Sequence, residues 1–172
     1  MSDANAGMTF EEAAAAITAP GQPYELVTRE VRGQALRCFA NAPNDLHALY
    51  RQSLEHGDKT FVVYEDERYT FEQVHARACA LGDRLVNGYG LVPGDRVALA
   101  MRNYPEWVCT YMAVTACGLV AVPMNAWWTR DEMVYGLEDS GARALVVDPE
   151  RLERIAPRLE ELEHGDTPPY EV

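Results

Sequence analysis

Residues 94–133 read GDRVALAMRNYPEWVCTYMAVTACGLVAVPMNAWWTRDEM, and their pattern decides the fold class. Pro93-Gly94-Asp95 is a turn. The run Arg96–Met101 that follows is apolar without alternation, as in a strand covered on both faces. Pro105 suits a first helical turn, where its missing N–H is no loss. The helix predicted from Pro105 to Cys117 is apolar nearly all round (Trp107, Val108, Tyr111, Met112, Val114), so it is buried on most sides. Gly118 fits the position just past its end, and Leu119–Met124 is a second apolar strand. Thr129-Arg130-Asp131-Glu132 is a capping box that opens the next helix.

Downstream, that helix runs to about Ser140, with Gly141 as its stop, and a strand follows at Ala144–Val147. Asp148 caps a last helix that starts at Pro149 and carries the apolar stripe Leu152, Ile155, Leu159, Leu162. Upstream, Thr70 and Gln73 form another capping box. Its helix has the stripe Phe71, Val74, Ala78, Leu81, Leu85 and ends at Gly88 and Gly90. Phe61–Tyr64 and Arg68–Thr70 flank Glu65-Asp66-Glu67, which predicts a hairpin with a charged tip. Leu46, Leu49, Tyr50 and Leu54 predict a helix over 44–55. Thr9 and Glu12 box the start of a short Ala-rich helix that ends before Ala19-Pro20-Gly21. Strands are expected at 24–28 and 35–39. So short a helix is marginal alone and needs docking. The division is an N-terminal arm over 1–43, an α/β subdomain over 44–163, and a linker or truncated end over 164–172.

From residue 71 helices and strands alternate. This predicts a doubly wound α/β fold with a mostly parallel sheet, carrying the arm and the small hairpin as additions. A ligand crevice is expected at the strands' C-terminal ends, near Arg102-Asn103, Asn125-Ala126 and Asp148.

The 172 residues are 48% apolar, and no apolar run reaches the ~18 residues that span a bilayer. No basic region precedes an apolar stretch at the N-terminus, so no secretory signal or transmembrane segment is expected. A net charge of −12 argues against a nucleic-acid partner. Residues 131–172 hold 12 acids and 4 arginines, the pattern of a solvated acidic helix face. Cys38, Cys79, Cys109 and Cys117 form no C-x-x-C pair and no zinc spacing. Cys109 and Cys117 lie about two helical turns apart, too far for a disulfide. All four are read as reduced thiols of a cytoplasmic protein, three of them in the core. The four histidines are scattered, and no metal ligand set is expected.

Gly88-Tyr-Gly90-Leu-Val-Pro-Gly94 has the wrong spacing for a dinucleotide fingerprint and precedes a strand rather than a helix. No phosphate loop and no nucleophile elbow occur, and Lys59 is the single lysine. No catalytic residue is therefore assigned. Two strand-end segments remain. At Arg102–Trp107 an anion can meet helix N–H groups, or Asn103 and Glu106 simply cap the helix. At Trp127-Trp128 two adjacent aromatics cannot both face one core, so one lines a groove, an interface or a ligand.

Several segments in order resemble one family. Tyr69-Thr70-Phe71-Glu72-Gln73-Val74 is similar to the first core motif of the adenylate-forming enzymes. Gly94-Asp95-Arg96-Val97 is similar to their turn and strand, and Cys117–Asn125 to their second core motif. Arg102–Trp107 and Asn125–Thr129 resemble the fatty acyl-CoA ligase subgroup of the AMP-forming acyl-CoA synthetases, and the likeness covers about residues 9–163. The resemblance implies a reaction in which a fatty acid and ATP give an acyl-adenylate and pyrophosphate, and CoA then displaces AMP. It implies ATP, Mg²⁺ and CoA for the whole enzyme, none of them bound tightly by this chain, with the phosphate loop and a mobile C-terminal domain supplied beyond Val172. The partners it implies are therefore the remaining AMP-binding and C-terminal domains of the same enzyme. This chain would be scaffold and cleft wall, inactive alone. Trp127, Trp128, Arg151 and Arg154 are candidates for the CoA nucleotide, although the arginines also read as helix surface. Arg102, Asn103 and Asn125 are cleft candidates. A truncated, non-enzymatic binding module and a dinucleotide-binding α/β domain are the alternatives. An exposed aromatic face would favour the first, and NAD binding the second.

Overall fold

The computed structural model describes residues 7–162, and the chain divides into two compact units, one ending at Asn44 and one beginning at Asp45. The side chains of Leu159 and Leu162, and the tail expected over 164–172, lie outside the described residues.

The first unit holds α1 (Phe10–Thr18) and an antiparallel hairpin of β1 (Leu26–Val31) and β2 (Gln34–Phe39). Thr9 caps α1 through the expected box: its hydroxyl accepts from the Glu12 amide, and Glu12 accepts from the Thr9 amide at 2.8 Å. No residue of α1 is buried. The strands extend further than expected because Arg32-Gly33 is a tight turn with positive φ at both residues (52° and 78°). That twist matches the strands it joins.

The second unit opens with α2 (Leu46–Ser53), N-capped by Asp45. A hairpin follows, β3 (Thr60–Tyr64) and β4 (Glu67–Thr70). Its tip is the two residues Glu65-Asp66, shorter than the three-residue tip expected, and Glu65 adopts φ 49°. Next come α3 (Phe71–Asp83), β5 (Arg96–Ala100), α4 (Pro105–Ala116), β6 (Val120–Pro123), α5 (Arg130–Ser140), β7 (Ala144–Val147) and α6 (Pro149–Leu162). The helix over α3 does not run regularly to Gly88. It widens into a π turn at Arg84–Gly88, which keeps Leu85 buried.

The larger sheet is parallel, in the order β6-β5-β7. Its central strand explains the unalternating sequence. Val97 and Leu99 join a core with Leu85, Leu91 and Val114. Ala98 and Ala100 join another with Met133, Leu137, Leu145 and Ile155. Both faces are covered, so every residue from Val97 to Ala100 is apolar. A third cluster joins α3 to α4 through Val74, Ala78, Cys109, Met112 and Ala113. The helices approach closely because position 82 is glycine: a Cβ there would lie 2.9 Å from the Cys117 sulfur.

The capping boxes form as read. Thr70 and Thr129 make reciprocal boxes with Gln73 and Glu132, and Gly141 takes the left-handed conformation (φ 58°) that ends α5. Of the cysteines, only Cys109 is buried. Cys38 and Cys117 are half-buried and Cys79 is exposed.

Candidate ligand cleft at the strand ends

The C-terminal ends of β5 and β6 open into a cleft of about 690 Å³. Three loops build it: the β3–β4 tip with Tyr64 and Glu65, the segment Arg102–Tyr104, and Asn125–Trp127. Parallel strands place their ligand crevices here because the crossover helices cover the faces and leave the ends open.

Arg102 leaves β5 with its amide fixed, donating to Asp148 Oδ2 at 3.0 Å. Its guanidinium carbon lies 4.9 Å from the centroid of the Trp127 ring. Among the described residues that guanidinium makes no hydrogen bond or ion pair. Asn103 does not cap α4. Tyr104 holds the cap position without a side-chain bond, Pro105 begins the helix, and Asn103 is left exposed in the cleft lining. Pro105 removes one of the N–H groups that a cap would have served, so the position makes little demand on a cap.

Asn125 shapes the second loop. Its Oδ1 accepts from the Trp127 amide at 2.9 Å, while its carbonyl accepts from the Trp128 amide at 3.0 Å. This turn sends the two indoles in different directions. Trp127 is 70% exposed in the cleft. Trp128 packs against the core beside Met124. Gly136 makes that possible, since a Cβ there would lie 2.7 Å from the Trp128 ring. A glycine inside an otherwise regular helix is the sequence signal of this close approach.

Arg151 and Arg154 do not reach into the cleft lining. Arg151 is fully buried. Its Nη1 donates to both Asp148 oxygens (3.2 and 3.1 Å) and to Glu150, and its Nε donates to the Ala126 carbonyl at 2.9 Å. Arg154 is partly exposed and donates to the Trp128 carbonyl at 2.6 Å and to Glu150. The expectation that Arg151 offers its charge to a phosphate does not match this placement. Arg151 Nε and Nη1 are taken by protein acceptors and its Nη2 is buried outside the cleft lining, so it presents no N–H to a ligand there. Both arginines instead tie α6 to the Asn125–Trp128 loop. Asp148 ties the same helix to Arg102 and caps it, accepting from the Arg151 amide at 2.9 Å. Burial by itself pushes the Asp148 carboxyl up. The amides of Arg151 and Arg102 and the Arg151 guanidinium outweigh this and hold it below its ordinary value. Asp148, Arg151 and Arg154 thus form a strut under both loops. Arg151 Nη2 is buried with no partner among the described residues.

The cleft offers an exposed indole face, an uncommitted guanidinium and the carboxylate of Glu65. The indole suits a flat ring and the guanidinium an anion, while the Glu65 carboxylate opposes an anion on its side of the cleft. No histidine, cysteine or lysine among the described residues lines it. Among the described residues no three His, Cys, Asp or Glu side chains gather as for a metal ion.

A parallel sheet layered by helices and open at its strand ends is the architecture of the N-terminal subdomain of adenylate-forming ligases. The pattern that defines the AMP-binding enzyme family matches residues 49–170, and the chain belongs to that family. It is 36% identical over 93 residues to a long-chain-fatty-acid–CoA ligase of Haemophilus influenzae, covering 54% of this chain and 16% of that protein. It is 32% identical over 106 residues to the human long-chain fatty acid transport protein 6, covering 60% of this chain and 17% of that protein. Among solved structures it is similar to the anthranilate CoA ligase AuaEII in complex with anthranoyl-AMP. That match has a TM-score of 0.66 and 29% identity over 76% of this chain and 25% of that one. The chain therefore spans under a fifth of the length of these curated relatives. No helix among the described residues is long and apolar enough to cross a membrane.

Proposed function

We propose that the chain is the N-terminal portion of an ATP-dependent, AMP-forming fatty-acid–CoA ligase, in which it supplies the frame and one wall of the active-site cleft. In such an enzyme a fatty carboxylate attacks ATP to give acyl-AMP and pyrophosphate. The CoA thiol then displaces AMP to give the thioester, releasing a proton. The observation that carries the reading is the cleft where Arg102 lies over the exposed Trp127. Trp127 offers its face to the adenine of CoA and Arg102 its charge to a CoA phosphate. Trp128, Asp148, Arg151 and Arg154 hold those two in place. Asn103 and Asn125 complete the rim. ATP and Mg²⁺ fall to the remaining AMP-binding and C-terminal domains of the same enzyme, so this chain alone does not adenylate. The four free thiols agree with a cytoplasmic setting.

Titration of the 172-residue chain with CoA, followed by tryptophan fluorescence, tests the reading. A saturable change is expected, lost in Trp127→Ala and weakened roughly tenfold in Arg102→Ala. Binding untouched by both substitutions removes the reading. ATP–pyrophosphate exchange by the chain alone would remove the claim that it carries no chemistry.

A further inference from the structure

A second cavity, of about 470 Å³, lies between α2, α3 and α4. That size falls in the range of roughly 300–1,000 Å³ that small-molecule sites occupy. Its walls are chiefly apolar. Small residues make room for it, Ala78 and Gly82 on α3 and Ala113 and Ala116 on α4, with Met112 between them. The hydroxyl of Tyr50, which lines it, is already bonded to the Thr115 hydroxyl at 2.9 Å.

The charge of the lining is the unexpected feature. The chain carries 27 acids against 15 lysines and arginines, yet no carboxylate lines this cavity. Its ionisable groups with cationic character are His47, Arg51 and His75. His47 and Arg51 are four residues apart on α2 and so share one face. Asp45 and Glu55 lie with them on an adjoining shallow surface, outside the cavity lining. Arg51 is exposed, and among the described residues its guanidinium makes no hydrogen bond or ion pair. His75 is engaged with the Cys79 sulfur at 3.5 Å. An apolar chamber with an uncommitted guanidinium at its rim suits an alkyl chain that ends in a carboxylate.

We propose that the groove between α2, α3 and α4 binds a free long-chain carboxylate, with the chain against Ala78, Met112, Ala113 and Ala116 and the carboxylate on Arg51. The site is separate from the strand-end cleft, since the two share no lining residue. It stands whether or not the cleft takes CoA.

Dodecanoate below its micelle concentration is the probe, titrated calorimetrically into the 172-residue chain. Cys79 lines the groove and is exposed, so its alkylation by N-ethylmaleimide reports occupancy. Saturable binding is expected, with alkylation slowed in proportion. Dodecanol should bind roughly tenfold more weakly, and Arg51→Glu should weaken dodecanoate roughly tenfold or more. Arg51 is exposed, so that variant should stay folded, with its unfolding midpoint lowered only slightly by the loss of a basic group in the last turn of α2. Equal affinity for dodecanol, or no effect of Arg51→Glu, overturns the proposal. So does dodecanoate binding that vanishes in Arg102→Ala but persists in Arg51→Glu, which would place the acid in the strand-end cleft. Binding only to vesicles of anionic phospholipid, without dodecanoate binding, overturns it in favour of a membrane surface.

Discussion

Asp148→Asn tests the strut beneath the two cleft loops. Asp148 is 7% exposed and accepts from the amides of Arg102 and Arg151 at 3.0 and 2.9 Å and from the Arg151 guanidinium at 3.2 and 3.1 Å. Asparagine keeps the shape and one acceptor oxygen, so it still caps α6. What disappears is the negative charge beside a fully buried cation. The remaining anionic partner of Arg151 is Glu150, whose side chain is 57% exposed and therefore screened. Removing one member of a buried pair costs about 3–5 kcal/mol, and the retained cap places this case near the lower end, about 3 kcal/mol. With a urea slope of about 1–3 kcal/mol/M, the unfolding midpoint should fall by roughly 1–3 M at unchanged slope. A loss under about 1 kcal/mol would refute the reasoning, because it would mean that water already solvates the pair. The pH dependence gives a second check. The folded-state pKa of Asp148 lies below its ordinary value of 3.8, so the native state holds this proton less tightly than the unfolded chain does. The resulting stabilisation is present above about pH 5 and is lost as pH falls through 3.8 toward the folded value. Asp148→Asn should lack that part of the acid limb.

Gly136→Ala should destabilise by about 1–3 kcal/mol despite alanine's better helix propensity, because its Cβ meets the Trp128 ring at 2.7 Å. A stabilised variant in thermal unfolding would show that Trp128 moves aside freely. Glu65→Gly should stabilise by about 0.5–1 kcal/mol, since glycine takes φ 49° without strain. Loss of stability on urea titration would mean that the Glu65 side chain matters more than its backbone. Cys109 is 7% exposed and burial pushes its thiol up, whereas Cys79 is exposed. In a thiol-exchange time course Cys79 should react first and Cys109 at least about a hundredfold more slowly. Equal rates would contradict the packing of α4.

What the sequence made legible was local. Thr9, Thr70 and Thr129 each carry a partner three residues on, and all three boxes form. The unalternating strand at Val97–Ala100 implied two covered faces, and two cores meet there. The strand ends at Arg102 and Asn125 implied a crevice, and a cleft opens there. What stayed hidden depends on partners far along the chain. Arg151 sits in an amphipathic helix among acids and reads as surface. Only the fold brings the Ala126 carbonyl, 25 residues away, to its Nε and seals it inside. The π turn at Arg84–Gly88 follows from how Leu85 meets the sheet, and no residue type announces it. The strand order β6-β5-β7 is likewise a tertiary choice among several that satisfy the same pattern.

The residues that fix where the strands begin and those that face the cleft are different sets. Asp95 accepts from the Val92 amide and pairs with Arg143 at 2.6 Å. The Val92 amide, more than the Arg143 guanidinium, holds the Asp95 carboxyl below its ordinary value against some opposing burial. Arg96 donates to the carbonyls of Ser140 and Gly141 at 3.0 and 2.7 Å, satisfying the end of α5. Gly118 turns the chain at φ 73° with Pro93 against it. Each of these fixes where a strand begins. Arg102 and Trp127 lie at the opposite ends of the same strands and belong to none of those contacts. A strand fixed at its start still leaves its exit loop free to change. The turn at one end and the ligand contact at the other can therefore vary independently, and here the ligand end carries an arginine over an exposed indole.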